Sequence, residues 1–97
     1  MKNKEKYEWE LVDVIQKISR NKKLLHEFLE DLFTPNELAE IPTRWQIVKQ
    51  LKKGVPQREV ALNLHTGIAT VTRGARELID KKGGFNLVYE KLYGKKG

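Results

Sequence analysis

The side chains best suited to chemistry lie between Gln57 and Gly74, and the chemistry they suit is recognition of a duplex. Gln57 and Arg58 open one short helical segment, and Ile68, Ala69, Thr70 and Thr72 open the next. Glutamine and arginine reach phosphates or the acceptor edge of guanine. Small and hydroxylated side chains at a helix start, backed by unpaired backbone N–H groups, can meet thymine methyls and phosphates. Gly74 is the discordant residue. In HTGIATVTRGARELI the residues Ile68, Val71, Leu78 and Ile79 recur on one helical face, yet glycine follows Arg73 in mid-helix. That choice costs about 1 kcal/mol relative to alanine. Room for a bound ligand would explain it, and so would the close approach of another helix.

Other chemistries find little here. His26 and His65 lie far apart, with no metal-ligand spacing around them. There is no nucleophile motif, glycine-rich phosphate loop or isolated carboxylate pair, so neither an enzyme nor a metal site is expected.

The elements that must position these residues all read as helices. Trp9, Leu11, Val12, Val14, Ile15 and Ile18 form a wide apolar stripe over Glu8 to Arg20, broad enough to be buried on two sides. Leu24, Leu25, Phe28, Leu29 and Leu32 repeat the pattern up to Phe33. So much bulky apolar surface in a short chain suggests a second subunit. FTPNE is a helix start: Thr34 caps, Pro35 suits the first position and Glu37 closes a capping box. The helix that follows carries Leu38, Ile41, Trp45, Val48 and Leu51 on one face, bends at Pro42 and ends near Gly54. Gln57 to Leu64 and Ile68 to about Asp80 form a helix-turn-helix, with Val60, Ala61, Leu64 and Val71 inward. In its turn, His65-Thr66-Gly67, glycine supplies the left-handed residue. KKGG stops the second helix, and Phe85 to Tyr93 form the last. The expected fold is all-α and multi-helical, with a helix-turn-helix DNA-binding head. Residues 1–97 make one domain, with 57–80 as the reading head.

Charge supports a nucleic-acid partner. The chain of 97 residues carries a net charge of +6. Residues 1–33 hold seven basic and seven acidic side chains, so the excess lies entirely in 34–97, including Lys95 and Lys96. The charged start MKNKEKYEWE is unlike a signal peptide, no apolar run is long enough to span a membrane, and cysteine is absent. A cytoplasmic location is expected, with no membrane partner.

LFTPNELAEIPTRWQIVKQLKKG followed by QREVALNLHTGIATVTRGARELI resembles the tryptophan repressor family, over Leu32 to Ile79, about half the chain. The resemblance implies a multi-helix intertwined homodimer, with 8–54 and 85–93 as its dimerisation core helices. It also implies a sequence-specific transcriptional repressor acting on a double-stranded operator and gated by a small aromatic corepressor, L-tryptophan or a related indole. It places the indole flat between Arg44 and Arg73, with Arg73 also meeting the ligand carboxylate, and it gives Gly74 as the room the ring needs. A leucine at 74 is then expected to block the ligand while leaving the fold intact. Thr34 corresponds to a threonine that reaches the carboxylate from the other subunit. The backbone carbonyls of Asp31 and Phe33 face the ammonium, and Val48 lines the ring pocket. Gln57, Arg58, Ile68, Ala69 and Thr72 match DNA-facing positions.

Three departures stand out. Glu77 replaces a serine at the ammonium, where a carboxylate can either strengthen that contact or fill the pocket by pairing with Arg73 or Arg44. Ala61 replaces a lysine that touches DNA, and KKGVPQ is one residue shorter than the family's turn. The alternatives are a ligand-independent DNA-binding regulator of the same fold, and a helical protein-interaction module.

Overall fold

The computed structural model describes residues 3–94, which form helices with no strand among them. In order these are α1 (Asn3–Ile18), α2 (Lys22–Leu32), α3 (Pro35–Lys52), α4 (Gln57–Leu64), α5 (Ile68–Glu77) and α6 (Gly84–Tyr93). Lys95 and Lys96 lie outside the described residues. Contacts gather the chain into two compact units, one up to Leu38 and one from Ala39 onward.

In the first unit α1 packs on α2. Helix α1 begins five residues before the expected Glu8 and ends at Ile18. Its first turns, NKEKY, have no apolar period to detect, but lysine and glutamate are good helix formers. Burial on two sides is not what the chain achieves by itself. No residue of α1 or α2 is buried, and Trp9 is 61% exposed. Asn21 caps α2, its side-chain oxygen accepting from the Leu24 N–H at 3.0 Å.

The capping box forms as the sequence indicates. The Glu37 N–H donates to Thr34 Oγ1 at 3.2 Å, and the Thr34 N–H donates to Glu37 Oε1 at 3.0 Å. Thr34→Ala removes one arm, and a loss of about 1 kcal/mol is expected. Denaturant melts at matched chain concentration read that loss.

The second unit is built around Ile47, Val60, Ala61 and Val71, with Leu51, Val55 and Leu64 packed around them. One residue from α3, two from α4 and one from α5 thus lock the three helices together. The expected stripe on α3 contained Val48 but missed Ile47; both are fully buried. Ile47 belongs to the ridge Glu40–Arg44–Ile47–Leu51, and two adjacent buried residues show α3 covered on more than one side. Helix α3 continues through Pro42, and the Thr43 hydroxyl donates to the Ala39 carbonyl at 2.9 Å one turn back.

Helix α4 has the expected bounds, and Gly54 at φ +88 lies in the turn before it. The turn after it corrects the sequence reading. His65, not Gly67, is left-handed, at φ 53 and ψ 45, whereas Gly67 is extended at φ −74 and ψ 149. The His65 N–H donates to the Leu62 carbonyl at 3.3 Å and the Thr66 N–H to the Ala61 carbonyl at 3.0 Å. This pairing is a Schellman ending, whose left-handed residue is usually glycine. His65→Gly is therefore expected to stabilise the protein by about 0.5–1 kcal/mol, measured as a higher denaturant midpoint.

Helix α5 stops at Glu77, three residues before the expected Asp80, with Leu78 and Ile79 in a turn. Helix α6 also differs in the face it uses. Val88 and Leu92 are exposed, while Asn86 and Tyr89 are buried.

Candidate functional site

Two helical faces enclose a cleft of about 720 Å³ in the second unit. From α3 come Glu40, Arg44 and Ile47; from α5 come Arg73, Gly74 and Glu77; Phe85 of α6 adds an aromatic edge. Glu40, Arg44 and Ile47 follow the helical repeat, and with Thr70, which also lines the cleft, so do the α5 residues, since positions i, i+3 or i+4, and i+7 point to the same side. The volume falls within the usual range of small-molecule sites, about 300–1,000 Å³.

Four of the sequence-assigned ligand residues, Arg44, Arg73, Gly74 and Glu77, come together here. Val48 does not line the cleft. It is buried in the unit's interior, and the apolar wall is Ile47, one residue away. Asp31 ends in the last turn of α2, Phe33 caps that helix with its N–H donating to the Leu29 carbonyl, and Thr34 is held in its capping box. These three belong to the first unit.

Gly74 meets another helix. A Cβ built on it would lie 2.9 Å from Ile47 Cγ2, closer than such atoms approach in proteins. The helix-packing explanation of this glycine is therefore physically real, and the cleft opens beside that contact. Gly74 therefore has a packing role against Ile47 as well as a place in the lining of the cleft.

The cleft carries two guanidiniums and two carboxylates, Arg44 and Arg73 with Glu40 and Glu77. Among the described residues none of these forms an ion pair with another; the pair seen joins His26 and Glu30 at 3.4 Å. Glu77 thus makes no ion pair with Arg73 or Arg44. A cleft with both signs of charge beside Ile47 and Phe85 suits a flat molecule bearing an anionic and a cationic group.

The residues assigned to DNA divide into two groups. Gln57, Arg58 and Ile68 are exposed at the starts of α4 and α5. The half-buried Thr72 donates its hydroxyl proton to Gln57 Oε1 at 2.9 Å, tying the two helices and fixing the glutamine carboxamide with its NH2 left to donate elsewhere. Ala69 and Thr70 are exposed but also border the cleft. Ala61, where the family places a lysine, is buried in the core.

Sequence reasoning missed Glu40, Ile47 and Phe85. The first two could have been found as one ridge with Arg44, whereas nothing local points Phe85 toward residues forty positions earlier.

Residues 7–93 match the family model described as Trp repressor protein. The chain belongs to that family. It is 53% identical over 53 residues to the Trp operon repressor homolog of Actinobacillus succinogenes, covering 54% of this chain and 52% of the relative. It is 41% identical over 69 residues to the homolog of Haemophilus influenzae, covering 70% of this chain and 68% of the relative. With the homolog of Vibrio vulnificus it shares 38% over 72 residues, 73% of this chain and 71% of the relative. The matched segment is thus about half the length of the first of these relatives and about two-thirds or a little more of the other two. No solved structure gives a significant match. The family is one of DNA-binding regulators rather than enzymes. Among the described residues no helix is long and apolar enough to cross a membrane.

Proposed function

We propose that this protein is a homodimeric transcriptional repressor that reads duplex DNA with α4 and α5 and is gated by L-tryptophan or a related indole in the α3–α5 cleft. The observation that carries the reading is the convergence of Arg44, Arg73 and Gly74 on one cleft from two helices. The indole lies between the two guanidinium planes, Arg73 takes the carboxylate, and Glu77 takes the ammonium. Following the family resemblance, Thr34 of the second subunit and the carbonyls of Asp31 and Phe33 complete the ligand's polar contacts. The exposed apolar side chains of α1 and α2, Trp9, Val12, Leu24 and Leu32, support a dimer.

Gating is a population shift. One wall of the cleft is α5, whose N-terminal turn is also the DNA-reading surface, so a ligand that prefers one tilt of α5 favours one presentation of Ile68 to Thr72. Linkage then requires DNA to raise ligand affinity by the same factor.

Selection from a random duplex pool, with and without millimolar L-tryptophan, tests the function. Two-fold symmetric sites enriched only with ligand are the expected result. Equal enrichment without ligand would make the protein a ligand-independent regulator, and no salt-sensitive enrichment at all would favour a protein-interaction module. On an enriched site, Arg58→Ala is expected to weaken binding and to flatten the plot of log affinity against log salt by about one unit. The ligand's calorimetric heat should not change.

A further inference from the structure

Asn86 is the one buried polar side chain among the described residues, at 4% exposure, and its hydrogen bonds join three helices. Its Nδ2 donates to the Leu78 carbonyl at 3.0 Å and to the Asp80 carbonyl at 2.9 Å. Its Oδ1 accepts from Lys52 Nζ at 2.9 Å. Leu78 is the C-cap of α5, so the carboxamide satisfies a carbonyl that a helix end leaves unpaired, while the Asp80 carbonyl in the turn beyond also accepts from the Gly83 N–H at 2.9 Å. Lys52 is the last residue of α3. One carboxamide at the root of α6 therefore fastens the ends of the two helices whose faces form the cleft.

The neighbouring contacts act in the same sense. Phe85, next to Asn86, lines the cleft and stands 6.5 Å from the Trp45 ring on α3. Beyond Asn86, the Lys52 ammonium lies over the Tyr89 ring at 5.5 Å and that of Lys49 over Tyr93 at 5.9 Å. Helix α6 is thus held along the second half of α3, and its first turn carries the clasp onto α5. Helix α5 has ten residues with a glycine among them, too short to be stable without tertiary support. Its last residue, Glu77, lines the cleft and directly precedes the carbonyl that Asn86 holds.

We propose that Asn86 is a positioning residue for the cleft, holding the last turn of α5 against α3 so that Arg73 and Glu77 face Arg44 at the separation the ligand needs. This rests on the reading of the cleft as the ligand site. Loss of the clasp frays the turn that carries Glu77 and lets the walls separate, so each ligand must first restore their spacing.

The test is calorimetric titration of L-tryptophan into the intact protein and its variants, together with the rise in melting temperature that saturating ligand causes. Asn86→Asp keeps the size and the oxygen facing Lys52 but removes the NH2 that serves both carbonyls. Affinity is expected to fall by about tenfold or more, and the ligand-induced rise to shrink. Asn21→Ala, which removes the cap of α2, is the stability control: it lowers the ligand-free melting temperature and leaves affinity alone. An Asn86→Asp variant that behaves like this control, with native affinity and a full ligand-induced rise, overturns the proposal. Should Asn86→Asp not fold, Lys52→Met decides, since it leaves both carbonyl bonds intact. A several-fold loss of affinity is expected there, and native affinity overturns the proposal. Absence of heat with the unaltered protein is a different failure: it removes the ligand reading itself.

Discussion

Replacing Arg73 with alanine is expected to lower L-tryptophan affinity by roughly thirtyfold to a thousandfold with almost no change in stability. The guanidinium has two tasks in the cleft. Its charge-assisted hydrogen bond to a carboxylate contributes about 1.5–3 kcal/mol, and its stacking on an indole face about 0.5–2 kcal/mol. Made by one side chain, the two contributions are not fully additive, and together they supply about 2–4 kcal/mol of binding, which sets the expected range. The fold should barely respond. Arg73 is exposed and makes no ion pair among the described residues, so its removal belongs with surface changes of about 0.5 kcal/mol or less. Arg44→Ala removes stacking alone and should cost less, about threefold to thirtyfold. Arg73→Lys should fall between, because an ammonium keeps the charge but offers no flat face. Calorimetry on the three variants checks the order, and equal losses for all three would refute the division of roles.

The second large effect lies in the packing of Gly74 against Ile47. Gly74→Ala gains up to about 1 kcal/mol in helix propensity. It also places a methyl 2.9 Å from Ile47 Cγ2, in a side chain only 1% exposed. A β-branched residue cannot swing one methyl aside without changing χ1, and overpacking of this kind costs about 1–3 kcal/mol. A net loss of about 1 kcal/mol is expected. In an Ile47→Leu background the offending methyl is absent at nearly unchanged volume, and the same alanine should become neutral or stabilising. The cycle should therefore show a coupling of about 1–2 kcal/mol from denaturant melts at matched concentration. Strict additivity would mean that the two residues do not constrain each other. Gly74→Leu, which the sequence alone suggests as a clean block of the ligand, would press on the core as well as fill the cleft. It cannot separate ligand loss from unfolding.

What the sequence made legible was local. The Thr34–Glu37 box, both bounds of α4 and the inward Val60, Ala61 and Val71 each rest on residues within a turn or two of one another. The left-handed residue was misplaced because glycine is the usual choice, whereas the Schellman hydrogen bonds at the end of α4 fix that conformation on His65. Ile47 was passed over because a single apolar stripe was drawn through Val48, and a helix covered on more than one side has no single stripe. The partners of Asn86 lie 34, 8 and 6 residues away, and no periodicity in α6 announces them. Arg44 and Arg73 were singled out through the family's motif; the cleft that both line is a tertiary result.

The central claim is that the α3–α5 cleft is a ligand site gating DNA recognition, and its most direct test is calorimetric titration of L-tryptophan into the unaltered protein. Fluorescence is a poor substitute because Trp9 and Trp45 would report as well. The expected result is saturable heat with one ligand per chain. Absence of heat at millimolar ligand, from protein shown to be folded and dimeric, would contradict the claim.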